Sequence, residues 1–310
     1  MAASAARGSR EMVRLQHVDT RDLRIAYEEA GHPDGRVVVL VHGWPDDVRC
    51  WDGVVPGLAA DGCRLLLPFL RGCGETRFHA AATLRSGAIA AIGQDLADFL
   101  AALDLRDAII AGHDWGARAG YVVGALFPER LSGLVAMSAG YATAHPVKHM
   151  SYDLAKAYWY EWLVATGQGR EAMEQDRRRL CRFLWESWSP DWWFSEAAFE
   201  TTASSWDNPD WAPISIHAYR QRWKDVPGTP EHAALEARLA EDPPITIPTL
   251  MLHGAKDRDN FPATSAGKER FFTRDYERRV IEGVGHFLPR EAPDVVVDAI
   301  RCMLRRTAQR

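Results

Sequence analysis

The residues best suited to chemistry centre on Asp114, in Ala111-Gly112-His113-Asp114-Trp115-Gly116. The segment directly follows a run with buried-strand character, Ala108-Ile109-Ile110-Ala111, and directly precedes a helical pattern. That context is a tight strand-to-helix turn, which lifts its central side chain clear of the sheet. Glycines on both sides fit, because such a turn leaves no room for neighbouring side chains. The central side chain is a carboxylate, where Ser or Cys would serve acyl transfer. Carboxylate attack on an acyl carbon yields an anhydride and gains little. Attack on a strained or activated alkyl carbon yields an ester that water can later cleave. Asp114 therefore points to epoxides or alkyl halides, and away from lipids and peptides. The plain alternative is a surface Gly-Asp turn; the coincidence of strand, turn and helix argues against it.

The chemistry needs partners. His42-Gly43-Trp44-Pro45 follows the run Val37–Val41. A loop in that place supplies one backbone N–H for an oxyanion, and the residue after the nucleophile supplies the other, which predicts the amides of Trp44 and Trp115. Pro45 would stiffen the loop, and a cis Trp44–Pro45 bond fits that role. An acid and a histidine should follow the nucleophile in chain order. Thr249–His253 leads into Gly254-Ala255-Lys256-Asp257, and Arg279–Glu282 leads into Gly283-Val284-Gly285-His286. His286 would deprotonate the hydrolytic water, and Asp257 would orient the imidazole and stabilise its charged form. Asp259 stands two residues further on as the competing acid. The segment after Leu131–Ser138 carries no carboxylate, which favours Asp257.

These side chains must be held by a sheet. Val13–Val18 and Leu23–Glu29 read as a hairpin. Val37–Val41, Arg64–Pro68, Ala108–Ala111 and Leu131–Ser138 read as buried strands, with Ile89 to Leu103 (Ser86 its N-cap) and Arg118–Phe127 as helices. The alternation predicts a mostly parallel sheet covered on both faces. From about 140 to 244 the pattern turns helical. Nine of the twelve tryptophans fall there: Trp159, Trp162, Trp185, Trp188, Trp192, Trp193, Trp206, Trp211 and Trp223. They either fill a core or line an apolar pocket, and both roles are open to different members of the set. The sheet resumes at Thr249 and Arg279, and a helix near Asp294–Leu304 closes the chain. The reading is a core of 1–139 and 245–310 interrupted by a helical segment, 140–244.

Bulk properties narrow the field. The 310 residues suit two domains or one large one, and 47% hydrophobic residues can bury a substantial core. A net charge of -5 with interspersed signs offers nothing to nucleic acid. Cys50, Cys63, Cys73, Cys181 and Cys302 are odd in number and lack metal-ligand spacing, as for free thiols in a reducing compartment. Residues 1–11 lack the apolar stretch of a signal peptide, and no apolar run reaches the length of a membrane span, about 18 residues. The expectation is a cytoplasmic protein with no membrane span, no metal and no cofactor.

Gly-His-Asp-Trp-Gly and His-Gly-Trp-Pro, over a chain patterned this way from about Glu11 to Leu304, resemble the α/β-hydrolase superfamily. Within it they look most like the branch of soluble epoxide hydrolases and haloalkane dehalogenases. Leu70-Arg71-Gly72-Cys73-Gly74-Glu75-Thr76 also resembles the family's Arg-Gly-x-Gly loop, with Phe69 in place of its usual Asp. The resemblance implies an α/β-hydrolase fold with a mostly parallel eight-stranded sheet and an inserted helical cap domain. Epoxide hydrolases of the family place two lid tyrosines over the nucleophile. Tyr160-Glu161-Trp162-Leu163 and Tyr219-Arg220-Gln221-Arg222-Trp223 are similar to those segments, although Tyr152 and Tyr158 compete with Tyr160. Haloalkane dehalogenases usually carry Asn where this chain has Trp44. Fluoroacetate dehalogenases have Arg directly after the nucleophile and again four residues after it; Arg118 fits the second place and Trp115 occupies the first.

The implied reaction is opening of an epoxide by Asp114, with Tyr160 and Tyr219 donating to its oxygen. Water activated by His286 and Asp257 then hydrolyses the ester, and a vicinal diol leaves. Trp44, Trp115, Tyr160 and Tyr219 would contact the substrate, a small lipophilic epoxide. A dehalogenase with the same aspartate is the alternative, and a ligand-binding homologue without turnover is a third reading, opposed by the intact Asp114, Asp257 and His286. A homodimer is compatible with all three.

Overall fold

The structure is a computed structural model that describes residues 13–142 and 150–308. The reading of residues 1–11 lies outside the described residues. The strands are β1 (Arg14–Asp19), β2 (Leu23–Gly31), β3 (Val37–Val41), β4 (Arg64–Pro68), β5 (Arg77–Phe78), β6 (Ala108–His113), β7 (Leu131–Met137), β8 (Thr249–Gly254) and β9 (Tyr276–Ile281). Eight of them form one path in the order β1-β2-β4-β3-β6-β7-β8-β9, and the two-residue β5 pairs with β2 as a ninth. The β1–β2 and β2–β4 pairs are antiparallel. From β4 to β9 every pair is parallel.

Helices cover both faces. Behind the sheet lie α1 (Val55–Ala60) and the terminal α11 (Pro293–Thr307); in front lie α2 (Ile89–Ala102) and α3 (Trp115–Leu126). Alternation along the strands divides the core. Val38, Leu40, Ile109 and Val135 meet Leu58, Val296 and Ile300 on one face. Val39, Val41, Ile110 and Leu134 meet Ile92, Phe99 and Val123 on the other. This two-sided burial is why the central strands read as unbroken apolar runs.

Between β7 and β8 the described chain holds helices only: α4 (Tyr152–Ala157), α5 (Trp159–Val164), α6 (Gly167–Gln175), α7 (Arg177–Trp188), α8 (Glu196–Ala203), α9 (Trp211–Arg222) and α10 (Ala233–Leu239). Ser151, Thr166 and Ser195 cap α4, α6 and α8 by accepting from backbone N–H groups. The tryptophans divide as their two readings allowed. Trp185 and Trp206 are fully buried, Trp188 and Trp211 are buried against Trp44, and Trp193 is exposed.

Several boundaries differ from the sequence reading. α3 begins at Trp115 rather than Arg118, because the helix starts in the residue after the turn. Ser86 does not cap α2: Ala88 holds that place, and the Ser86 carbonyl accepts from Arg71 instead. β9 starts at Tyr276, three residues early, and its half-buried edge position gives it a weaker apolar signal. The five cysteines are free thiols. No helix among the described residues is long and apolar enough to cross a membrane.

The order β4-β3-β6 makes the chain leave β3 on one side and return on the other. The carboxyl ends of β3 and β6 therefore open a crevice, the place where open α/β sheets bind ligands.

Candidate active site

Asp114 sits in that crevice at the junction of β6 and α3. Its backbone has φ 50° and ψ -111°, an unfavourable conformation for a residue with a side chain. The neighbourhood enforces it. A Cβ on Gly116 would lie 2.1 Å from the Val41 carbonyl oxygen, and one on Gly112 would lie 2.3 Å from that of Gly116. A Cβ on Gly43 would lie 2.6 Å from the Asp114 Cβ, so the loops after β3 and β6 touch. The Trp44 N–H donates to Asp114 Oδ1 at 2.9 Å, and the Asp114 N–H donates to Met137 O at 3.0 Å.

The loop carrying Trp44 is pinned from several sides. The Trp44–Pro45 bond is cis. The His42 Nε2 accepts from the Leu70 N–H at 3.1 Å, which leaves Nδ1 to donate to Gly43 O at 2.9 Å. Burial holds the His42 imidazole below its usual range, consistent with that neutral tautomer. Trp185 Nε1 donates to Pro45 O at 3.0 Å.

His286 Nδ1 lies 3.0 Å and 3.2 Å from the two oxygens of Asp257, whereas its approach to Asp259 Oδ2 is 4.0 Å. Geometry thus pairs the imidazole with Asp257. Burial alone would lower the His286 pKa; the carboxylate of Asp257, aided by Asp259 and Asp114, more than offsets it and lifts the value to about 9. Burial opposes ionisation of Asp257, but His286 and His253 outweigh it and hold that carboxyl below its ordinary value. The other ring nitrogen, Nε2, is buried with no hydrogen-bond partner among the described residues. One oxygen each of Asp114 and Asp259 and one ring nitrogen of His286 lie within 4.8 Å of one another. A cation there would tie up Asp114.

Four residues that hold the histidine escaped the sequence reading. Ser189, at the end of α7, accepts from the His286 N–H at 2.8 Å and donates to Glu291 Oε1 at 2.6 Å. Glu291 also accepts from Gly285 N at 2.7 Å and Phe287 N at 2.9 Å. The His286 carbonyl accepts from Ser138 Oγ at 2.7 Å and pairs with His113 Nε2 at 2.8 Å. Burial, then His286, pushes His113 down to about 4, so it stays neutral. Only His113 had a sequence signal, its place beside Asp114.

Tyr160 (on α5) and Tyr219 (on α9) are buried together above Trp44. Ring centroids are 5.3 Å apart, and lie 5.7 Å and 5.1 Å from Trp44. Burial, with negative neighbours, raises both phenols well above their ordinary value. Tyr152 is exposed, and Tyr158 donates to Asn260 Oδ1 at 2.9 Å. The structure therefore brings Tyr160, of the three, against Tyr219. The Tyr160 hydroxyl lies 3.4 Å from Glu161 Oε1, and Glu161 is paired with Arg222 at 3.1 Å. Trp115 and Tyr219 also wall a cavity of about 370 Å³, lined further by Ile89, Arg118, Val122 and Tyr141.

The model of the alpha/beta hydrolase fold family matches residues 36–293. The chain belongs to that family. A Klebsiella pneumoniae structure, assigned provisionally to the epoxide hydrolases, superposes with TM-score 0.89 at 38% identity, covering 94% of this chain and 97% of its own. Epoxide hydrolase A of Mycobacterium tuberculosis is 33% identical over 121 residues, 39% of this chain and only 37% of the relative's length. The AB hydrolase superfamily protein YfhM of Bacillus subtilis is 24% identical over 294 residues, 92% of this chain and 95% of the relative.

Proposed function

We propose that the protein hydrolyses epoxides to vicinal diols through an alkyl ester on Asp114. The observation that carries this reading is a carboxylate at a strand-to-helix turn, beside an imidazole paired with a second carboxylate and below two buried tyrosines. A carboxylate nucleophile suits a saturated electrophilic carbon. Asp114 attacks a ring carbon while Tyr160 and Tyr219 orient the epoxide oxygen. A water then attacks the ester carbonyl as His286, oriented by Asp257, takes its proton. The Trp44 and Trp115 amides receive the oxyanion; the Trp44 N–H already points at Asp114 Oδ1. The helices between β7 and β8 act as a cap, and the aromatic surroundings suit a small lipophilic epoxide. No step calls for a metal or an organic cofactor.

Repeated turnover in heavy-oxygen water tests the reading. Label must build up in the Asp114 carboxylate and disappear as an outcome in Asp114→Ala. Label in the diol alone would overturn the ester.

A dehalogenase acting through the same ester is the second reading. It draws on Arg118, four residues after Asp114 and on the cavity wall, while Trp44 stands where haloalkane dehalogenases carry Asn. Halide release from haloalkanes or fluoroacetate, with no diol from epoxides, would select it.

A further inference from the structure

Trp44 is used twice. Its backbone N–H donates to Asp114 Oδ1 at 2.9 Å, and its indole Nε1–H donates to Ser215 Oγ at 2.9 Å. The proposed reaction draws on the first bond and leaves the second without a task. Ser215 lies on α9 and is 1% exposed. An indole N–H can only donate, so a buried one needs an acceptor. The Ser215 hydroxyl is turned to supply it. Its own proton goes to the Trp211 carbonyl, one turn back in the helix, at 2.8 Å, which leaves its lone pairs for Trp44.

The spacing along α9 gives this bond a consequence. Trp211, Ser215 and Tyr219 follow one another at four-residue intervals and share one face of the helix. All three meet the same ring. The Trp44 and Trp211 rings stack at 6.0 Å with 16° between their planes, and the Tyr219 ring stands edge-on to Trp44 at 5.1 Å. Ring contacts tolerate sliding, since centroids anywhere from about 4.5 to 7 Å apart are favourable. A hydrogen bond fixes both distance and direction. The Trp44–Ser215 bond therefore sets the register of α9 on the loop after β3. Other ties hold α9 to the core without touching that loop. Asp210 accepts from Arg85 at 2.8 Å, and His217 Nδ1 accepts from the Gly87 N–H at 3.1 Å. They keep the helix in place when the serine hydroxyl is removed.

Resting on the epoxide reading, we propose that Ser215 is a positioning residue for ring opening: through the Trp44 indole it sets where the Tyr219 hydroxyl stands relative to Asp114. Both ends of the opening step then refer to one side chain. The Trp44 amide touches the attacking carboxylate, and the Trp44 indole holds the helix that carries the tyrosine. Hydrolysis of the ester lies outside the reach of Ser215. The loop of Trp44 keeps its bonds from His42 to Leu70 and from Trp185 to Pro45 O. The backbone around His286 is held by Ser189 and Glu291. None of these involves α9.

Rapid-quench mass spectrometry of the intact protein, mixed with styrene oxide, cyclohexene oxide or limonene oxide, follows the adduct on Asp114 as it rises and falls. Ser215→Ala should slow the rise about 10-fold or more, the scale expected when a reacting group is displaced by part of an ångström, and leave the fall unchanged. Trp44→Phe keeps the backbone amide but has no indole N–H. In that background the same Ser215→Ala change should not slow the rise further. An undiminished rise in Ser215→Ala, or an equal loss in the Trp44→Phe background, would overturn the assignment. A rise and fall slowed together, in step with a lowered melting temperature, would overturn it as well and make the hydroxyl a support for the fold alone. If none of the three epoxides gives an adduct even in His286→Asn, where hydrolysis of the ester is blocked, the epoxide reading itself falls, and this assignment with it.

Discussion

In the proposed reaction His286 carries opposing demands: it must lose a proton to act on water, yet its surroundings favour the charged ring. The carboxylates of Asp257, Asp259 and Asp114 raise its pKa to about 9 against the effect of burial. The imidazolium therefore persists at neutral pH, and the basic form appears as pH rises through that value. Decay of a preformed ester should accelerate with pH, reach half its maximal rate near 9 and level off above that. Single-turnover decay measured across pH 6 to about 10 checks this, and a rate that fell with pH would contradict the role of base. Asp114 and His286 were legible as residues because a glycine-flanked turn and a loop after a strand are local patterns. Choosing Asp257 over Asp259 was not local. The two differ by where their carboxyl groups point, 3.0 Å against 4.0 Å from one nitrogen, and no spacing rule resolves that.

At the scale of elements, the site depends on three chain segments passing closer than side chains allow. Gly116 opens α3 directly beneath the Val41 carbonyl. Gly116→Ala should destabilise the fold by on the order of 3 kcal/mol, within the range for overpacking at a closed backbone contact. Thermal denaturation of the variant measures it, and an unchanged midpoint would show that α3 can move aside. The apolar runs of β3, β6, β7 and β8 made the parallel core readable, since each is buried on both faces. The edge was harder. β9 is half-buried along its length, so its sequence, Tyr-Glu-Arg-Arg-Val-Ile, carries charges where it meets solvent. The cap of α2 misled for another reason: Ser86 has the chemistry of an N-cap, but its hydroxyl accepts from the Ala88 N–H, ahead of the helix, which starts only at Ile89.

Across the whole molecule, buried acids link stability to pH. Asp47, after β3, lies under the inserted helices and accepts from Ser205 Oγ at 2.7 Å. Burial and the neighbouring Asp46 raise its carboxyl to about 7, against the pull of Arg290. A raised folded-state value means that the native protein binds the proton more tightly than the unfolded chain. The stability from Asp47 is thus complete below pH 3.8 and is lost as pH climbs through about 7. Asp259 adds the same sign up to about 8. Urea unfolding from pH 5 to 8 should show falling stability, and Asp47→Asn should flatten the part of the slope below pH 7. The inserted segment was legible as helical and aromatic. Its partners in the core were not, because contacts such as Ser205 with Asp47 join residues 158 positions apart.

Ser189 belongs to the inserted helices, yet it grips the backbone on both sides of the ring at 286, where a Cβ on Gly285 would collide with it. In the proposed mechanism the segment is consequently a bearing for the proton-transfer machinery as well as a roof. Exchanging it wholesale for a relative's, in order to retune which molecules enter, preserves turnover only where the transplant brings a hydroxyl to that same spot.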